Sequence, residues 1–279
     1  MTKIGIVHPG EMGVSIAASA INSGHEVYWT SENRSDKTRL RAEKYGLVEV
    51  ESLTQLCQTC GIIFSVCPPH AAEDVANSVI EYDFKGYYLD ANAISPGRAK
   101  RIGELMEADG VRFVDGGIIG GPVRKPKETW LYLSGKDANV IAECFANGPL
   151  ETKIIGDEIG KASALKMCYA AYSKGTTALL AAILAAAEWL GIRDELYRQW
   201  ELDNMDLAKQ AEGRMTRVTA KAWRFEGEMH EIASTFLEAG LPDGFHKAAA
   251  EVYHRLARFK DSSHPSALDE VFTALLDRR

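Results

Sequence analysis

The chain lacks a long apolar run: the longest, Ala178 to Ala187, is ten residues and Glu188 closes it. A membrane-spanning helix needs about 20 such residues, so no membrane partner is expected. Cysteine is scarce and odd in number, at 57, 60, 67, 144 and 168, mostly in apolar segments. That excludes a disulfide scaffold and points to a reduced, cytoplasmic setting. Cys57-Gln58-Thr59-Cys60 has redox spacing but reads as a short helix before a strand, with no second such pair. The seven histidines form no ligand pattern, so no metal is expected. Basic excess is also missing; a net charge of −7 argues against nucleic acid as a partner. There is no repeat, and Met1-Thr2-Lys3 runs straight into an apolar stretch, leaving no room for a signal peptide. At 279 residues the chain is long enough for a large core and one or two domains.

What is present is concentrated at the start. Ile4-Gly5-Ile6-Val7 reads as a short buried strand, His8-Pro9-Gly10-Glu11-Met12-Gly13 as a turn, and Val14 onward as a helix. A helix N-terminus carries unpaired N–H groups and a partial positive charge, which together attract phosphate. The dinucleotide fingerprint Gly-x-Gly-x-x-Gly falls on positions 8, 10 and 13. Position 8 is His8, so two glycines of three match.

His25 to Thr30 supplies the second strand of a βαβ unit. An NAD site ends this strand in Asp or Glu, about 20 residues after the glycines, to bind the ribose 2′-hydroxyl. Here it ends in Thr30-Ser31-Glu32-Asn33-Arg34-Ser35. Arg34 with Ser31 and Ser35 suits a 2′-phosphate, and Glu32 is the one dissenting residue. NADP is therefore expected over NAD.

Strand and helix alternate up to about residue 156. Ile62 to Val66 has the continuous apolar character of a strand buried on both faces of a parallel sheet. A helix is expected over His70 to Ile80 and a strand over Tyr87 to Asp90. Ser95-Pro96 caps a helix reaching Ala108, and strands follow at Val111–Asp115, 129–133 and 152–155. This is a doubly wound α/β pattern, whose ligands sit at the carboxyl ends of the strands. After Gly160 the pattern is helical throughout. Lys161 to Leu190 has no proline and would span roughly 45 Å as one helix. Its alanine-rich part predicts burial on every side. Further helices are expected over Asp194–Met205, Leu207–Trp223, Glu226–Ala239 and His246–Phe259. The domains expected are 1–158, a Rossmann-type dinucleotide-binding domain, and 159–279, an all-helical substrate and dimerisation domain. So small a helical domain around one buried helix predicts a homodimer.

Four landmarks in register resemble the β-hydroxyacid dehydrogenase and 6-phosphogluconate dehydrogenase superfamily, over the whole chain. Gly10-Glu11-Met12-Gly13 matches the second half of its cofactor turn. Its Asp-x-Ser-Thr-x-Ser-Pro stands here as Asp90-Ala91-Asn92-Ala93-Ile94-Ser95-Pro96. Its Asp-Ala-Pro-Val-Ser-Gly-Gly stands as Asp115 to Ile119-Gly120-Gly121, and its Gly-x-x-x-x-x-Lys as Gly160 through Lys166. The helical half resembles a sub-branch with an uncharacterised domain, marked by Glu228-Met229-His230-Glu231. The resemblance implies a cofactor along His8, Pro9, Gly10, Glu11, Met12, Gly13, Ser31, Arg34, Ser35, Val66, Cys67, Pro68 and Asn92. It implies a substrate against Ile119, Gly120 and Gly121.

Hydride transfer to or from a carbon–oxygen bond needs a group to carry the hydroxyl proton. A desolvated lysine can be tuned for that role; a lysine can equally pack its stem and send its amine to solvent. The resemblance selects the first for Lys166. It also exposes departures, because the family's substrate-holding hydroxyls are replaced by Asn92, Ala93 and Ile119. Its asparagine after the lysine is Tyr169, and the lysine of a late Lys-Asp pair falls on Gly227. A bulkier or less acidic substrate is implied, with Tyr169, Tyr172, Lys174 and Trp223 as new contacts. The resulting expectation is an NADP-dependent oxidoreductase for a secondary alcohol or ketone, not a small 3-hydroxy acid. The alternatives are imine-reductase-like C=N reduction and a non-catalytic NADP-binding protein. Imine reductases generally carry an acidic or phenolic residue at the Lys166 position, which favours carbonyl chemistry.

Overall fold

A computed structural model describes every residue except 204, 205, 261, 263, 265, 278 and 279. It divides into two compact units, Met1–Met167 and Cys168–Arg279. The division falls later than a 158/159 boundary, because the first turns of the helix after Gly160 pack back on the sheet.

In the first unit the order is β1 (Lys3–Ile6), α1 (Glu11–Asn22), β2 (Glu26–Thr30), α2 (Asp36–Lys44), β3 (Val48–Val50) and α3 (Leu53–Thr59). Next come β4 (Ile62–Ser65), α4 (Ala72–Glu81), β5 (Tyr87–Asp90), α5 (Pro96–Ala108) and β6 (Arg112–Ile119). The last are β7 (Trp130–Ser134), α6 (Ala138–Glu143), β8 (Glu151–Ile154) and α7 (Lys161–Ala170), of which residues 161–167 belong to this unit. The strands form one sheet in the order β3-β2-β1-β4-β5-β6-β7-β8. β7 runs antiparallel to β6, and every other pair is parallel. This is the doubly wound order, with a crevice where the path reverses between β1 and β4.

Apolar side chains alternate between two cores. Ile4, Ile6, Phe64, Leu89 and Val114 lie in one, and Ile63, Tyr88 and Phe113 in the other. That is why Ile62-Ile63-Phe64 is apolar at every position. The structure departs from the sequence pattern at β6, which runs on through Gly116, Gly117, Ile118 and Ile119. Pairing with β7, from Asp115 opposite Ser134 to Ile119 opposite Trp130, keeps these glycines extended. The helix expected from His70 begins at Ala72, after one 3-10 turn over Pro69–Ala71. β3 and α6 are too short, and α2 is too polar, for the pattern to show them.

The second unit holds α8 (Thr176–Leu190), α9 (Arg193–Asp203), α10 (Leu207–Val218), α11 (Ala222–Glu238), α12 (Gly244–Leu256) and α13 (Leu268–Leu276). A π-helical segment, Ala171–Gly175, precedes α8. The helix expected over Leu207–Trp223 is broken: α10 stops at Val218, a 3-10 turn spans Thr219–Lys221, and Trp223 belongs to α11. The residue 205 end expected for α9 lies outside the described residues. α11 and α12 pack as an antiparallel pair, Phe225 on Tyr253 at 5.3 Å and Phe236 on His246 at 4.3 Å between ring centroids. Gly191 and Gly240, at φ 69° and 73°, close α8 and α11 in the left-handed conformation that glycine adopts without strain.

α8 is not covered on every side within the chain. Ala178, Ala181, Leu184 and Ala185 are buried, whereas Leu179, Ala182, Ala186 and Trp189 are exposed. Alanine lets neighbours approach closely but does not itself bring them to both faces. The stretch Lys161–Leu190 also has the length to cross a membrane and contains an 18-residue window with a mean hydropathy of 1.2. A core helix passes the same test, and this one carries an ion pair at Lys174.

Candidate active site

The turn after β1 is shaped by close backbone approach. Gly10 donates its N–H to the His8 carbonyl at 2.8 Å, and Val14 donates to Gly10 at 2.9 Å to start α1. A Cβ on Gly13 would lie 2.3 Å from the His8 carbonyl oxygen, so only glycine fits there. A Cβ on Gly10 would meet nothing within 4 Å. Its glycine leaves open space in front of the helix N-terminus, which no side chain caps. His8 is not among the described residues with left-handed backbone, so the missing first glycine costs no strain.

Beside this turn stands Arg34, half-buried, whose Nε has no hydrogen-bond partner among the described residues. Its charge and, first, burial push the His8 imidazole down to about 4, so His8 is neutral at pH 7. His8 Nδ1 is likewise buried without a partner among the described residues. Ser31 donates to the Glu49 carboxylate, and Ser35 caps α2 by accepting from the Thr38 N–H at 3.4 Å. Thr30 is buried at the end of β2 and accepts the Glu32 N–H at 3.3 Å. Sequence reasoning missed Arg41, which donates to the Pro9 carbonyl at 3.4 Å and brings a second guanidinium to the turn. Its signal was a helix-face arginine one turn and more past the α2 cap, a pattern shared by ordinary solvated arginines.

Along the crevice, Asn92 is committed to the frame. It accepts the Cys67 N–H at 2.6 Å, donates to Ser65 Oγ at 3.1 Å, and gives its own N–H to Asp90 at 2.9 Å. It thereby fixes the Val66-Cys67-Pro68 loop. Burial, and then the Asp90 charge, push the Cys67 thiol up to about 12. The Cys57 and Cys60 thiols, also buried, stand at about 12. None of these cysteines is a thiolate at neutral pH.

Asp115 pins the start of α7. Its carboxylate accepts from Gly160 N, Ser163 N and Ser134 Oγ at 3.0, 3.0 and 2.9 Å, and from Ser163 Oγ at 2.5 Å. Ala162 N donates to Ser134 Oγ at 3.1 Å. A Cβ on Gly117 would come within 2.5 Å of the Ala162 carbonyl and 3.2 Å of Lys166 Cβ, so β6 needs glycine to admit the helix. Lys166 Nζ then donates to the Ile118 carbonyl at 2.6 Å, at the carboxyl end of β6 and next to Ile119, Gly120 and Gly121.

Asp90 lies opposite Asp115 in the register. It is fully buried, its Oδ2 has no partner among the described residues, and burial pushes its pKa up to about 7. A raised acid pKa keeps the proton in the folded state, so stability falls as pH rises from about 4 to about 7. The gap corresponds to roughly 4 kcal/mol. Asp90→Asn keeps the acceptor for Asn92 without the charge. In urea unfolding, wild type is expected to lose stability relative to this variant across that window and hold a constant gap above it. A gap independent of pH would show that Asp90 is ionised throughout.

Tyr169, Tyr172, Lys174 and Trp223 belong to the second unit. Tyr169 and Tyr172 are exposed. Trp223 has Lys260 over its ring at 4.3 Å. Lys174 is ion-paired to Glu228 and sits 4.4 Å from the Phe225 ring centroid, with its carbonyl accepting from Tyr253 Oη at 2.8 Å.

Residues 3–144 match the model of the NAD binding domain of 6-phosphogluconate dehydrogenase. The chain belongs to that family. Its relatives include hydroxyacid dehydrogenases and reductases that use NAD(P), and the fold described above is theirs. Residues 187–256 match a domain of unknown function. An uncharacterised 28.5 kDa protein of Methanothermus fervidus is 33% identical over 76% of this chain and 78% of its own. The mitochondrial 3-hydroxyisobutyrate dehydrogenase of Drosophila melanogaster is 24% identical over 48% of this chain. The chain spans only 41% of that enzyme's length. Among solved structures, a conserved protein of unknown function described as similar to 3-hydroxyacid dehydrogenases superposes with a TM-score of 0.68. It is 29% identical, covering 92% of this chain and 97% of that one. The open space at Gly10, the uncapped helix and the orphaned Arg34 Nε fit the phosphates of a nicotinamide dinucleotide.

Proposed function

We propose that the protein is an NADP-dependent oxidoreductase for a secondary alcohol or ketone, with Lys166 carrying the proton. The observation that carries this reading is the Lys166 ammonium held on the Ile118 carbonyl at the carboxyl edge of the sheet. When bound, the nicotinamide supplies or accepts the hydride. The uncapped N-terminus of α1 holds the diphosphate, and the cysteine-proline loop fixed by Asn92 lines the crevice. The Lys166 ammonium donates to the carbonyl oxygen in reduction and takes the hydroxyl proton in oxidation. Screening ketones, secondary alcohols and imines at the NADPH absorbance, with Lys166→Ala as control, tests it. Cofactor-binding protein without turnover on any carbonyl would leave only a binding role.

The cofactor preference rests on Arg34 with Thr30 in place of an acid. A charge-assisted phosphate contact is worth about 1.5–3 kcal/mol, so Arg34→Ala is expected to weaken NADP(H) by roughly 10- to 100-fold and NAD(H) little. Titrating both cofactors against both proteins measures this. Equal affinities in wild type would reassign Arg34 to the protein's own frame.

The exposed face of α8, with Leu179, Ala182 and Trp189, supports a homodimer formed through the helical unit. Sedimentation at low micromolar concentration should show a dimer, and Ala182→Glu should split it. A stable wild-type monomer refutes this.

A further inference from the structure

We propose that the β6–β7 loop, residues 120–129, binds an anionic group carried by the substrate at some distance from the reacting carbon. This rests on the placement of the reacting carbon near Lys166. The loop reads Gly-Gly-Pro-Val-Arg-Lys-Pro-Lys-Glu-Thr, and Arg124, Lys125 and Lys127 are all exposed. None of the three side chains has an ion-pair or hydrogen-bond partner among the described residues. Two carboxylates lie close by. Glu128 is exposed on the loop itself, and Glu151 accepts the Lys127 backbone N–H at 3.2 Å. The loop therefore keeps a positive excess in a chain whose net charge is −7.

It is also built to hold that charge in place. Pro122 and Pro126 fix two backbone angles. Thr129 Oγ1 donates to the Gly121 carbonyl at 2.7 Å and closes the base. Gly120 and Lys127 are left-handed, at φ 125° and 66°. Left-handed backbone in a lysine is uncommon and persists where the surroundings impose it. The base of the loop follows Ile118, the residue that anchors Lys166, so charge and proton carrier share one strand end.

The cofactor's own phosphates are not the ligand. Arg34 follows β2, and β2 and β6 are separated by β1, β4 and β5. Four strand spacings come to about 19 Å. A substrate with a distal carboxylate or phosphate would be drawn by the loop against the repulsion of an acidic protein. It would be oriented with its carbonyl towards Lys166. This differs from a small 3-hydroxy acid, whose carboxylate is separated from the reacting carbon by a single carbon.

The test compares three ketones with the NADPH-loaded protein: 5-oxohexanoate, its uncharged ethyl ester, and 4-oxopentyl phosphate. Each is assayed with wild type and with the combined variant Arg124→Gln, Lys125→Gln, Lys127→Gln. At least one anion should exceed the ester in kcat/KM by about tenfold or more, and the variant should lose that preference through KM. Which anion leads tells carboxylate from phosphate. An ester handled as well as both anions, or a preference that survives in the variant, overturns the proposal. Where turnover is too slow to read, equilibrium binding of the same compounds decides, and no selective anion binding is again a refutation. Failure of the underlying reading looks different: the anions bind through the loop, yet turnover is indifferent to Lys166→Ala.

Discussion

Lys166→Ala is expected to lower turnover on any accepted carbonyl by on the order of 10²-fold or more, the usual weight of general acid–base catalysis. NADP(H) affinity should stay within a factor of about two. The separation follows from where the residue sits. Lys166 reaches the Ile118 carbonyl at the end of β6, whereas Arg34 and the glycine turn lie at the ends of β2 and β1. Its position is imposed from below, because Asp115 gathers four donors from β7 and the start of α7 and so fixes the helix against the sheet. Asp115→Asn should therefore reduce turnover too, but by displacing α7, and with a loss of stability that Lys166→Ala does not share. Stopped-flow turnover, cofactor titration and urea unfolding on the two variants separate the cases. Turnover within a few-fold of wild type in Lys166→Ala would move the proton to another group, with Tyr169 the first to examine.

The sheet was legible because its strands obey a simple rule. A strand buried on both faces must be apolar at consecutive positions, and Ile62-Ile63-Phe64 is. Gly13 was legible for the same kind of reason, since no other residue clears the His8 carbonyl. The role given to Lys166 is an expectation drawn from spacing and resemblance together; spacing alone does not distinguish it from a solvated lysine. What stayed hidden depends on partners far away in sequence. The extension of β6 to Ile119 is set by β7, and glycines in isolation signal a turn. Asp115 shows its purpose only when Gly160, Ser163 and Ser134 converge on it. Ser31 and Ser35 illustrate the converse. Their composition suits a phosphate, but Glu49 and the α2 cap take up their hydroxyls, which leaves Arg34 as the phosphate-binding candidate of that turn. The break after Val218 is equally invisible, because Thr219-Ala220-Lys221 carries neither glycine nor proline.

A small 3-hydroxy acid such as 3-hydroxyisobutyrate is expected to be a poor substrate. Its carboxylate lies one carbon from the reacting centre and needs donors there. Of the positions that the family uses, Ala93, Ile119 and Gly227 carry no side-chain donor. Asn92 has an amide NH₂, but it is buried, gives one N–H to Ser65 Oγ at 3.1 Å and holds the Cys67 N–H on its Oδ1 at 2.6 Å. A carboxylate desolvated without partners costs several kcal/mol. Every ~1.4 kcal/mol of that penalty is a tenfold loss in kcat/KM, so discrimination of about 10²-fold or more is expected. The half-buried Ile119 at the end of β6 presents apolar surface instead, next to the lysine that would carry the proton. Larger ketones, whose reacting carbon has only apolar neighbours, suit that surface. The assay sets 3-hydroxyisobutyrate and 2-hydroxy-3-oxopropionate beside ketones of six or more carbons, with NADP(H) saturating. Values of kcat/KM for the small acids above roughly 10⁴ M⁻¹s⁻¹ would mean that backbone N–H groups of the Gly120-Gly121 turn hold the carboxylate. The side-chain donors would then be dispensable, and Ile119→Ser should bring no gain. If the reading holds, Ile119→Ser should raise kcat/KM for the small acid and lower it for the large ketone.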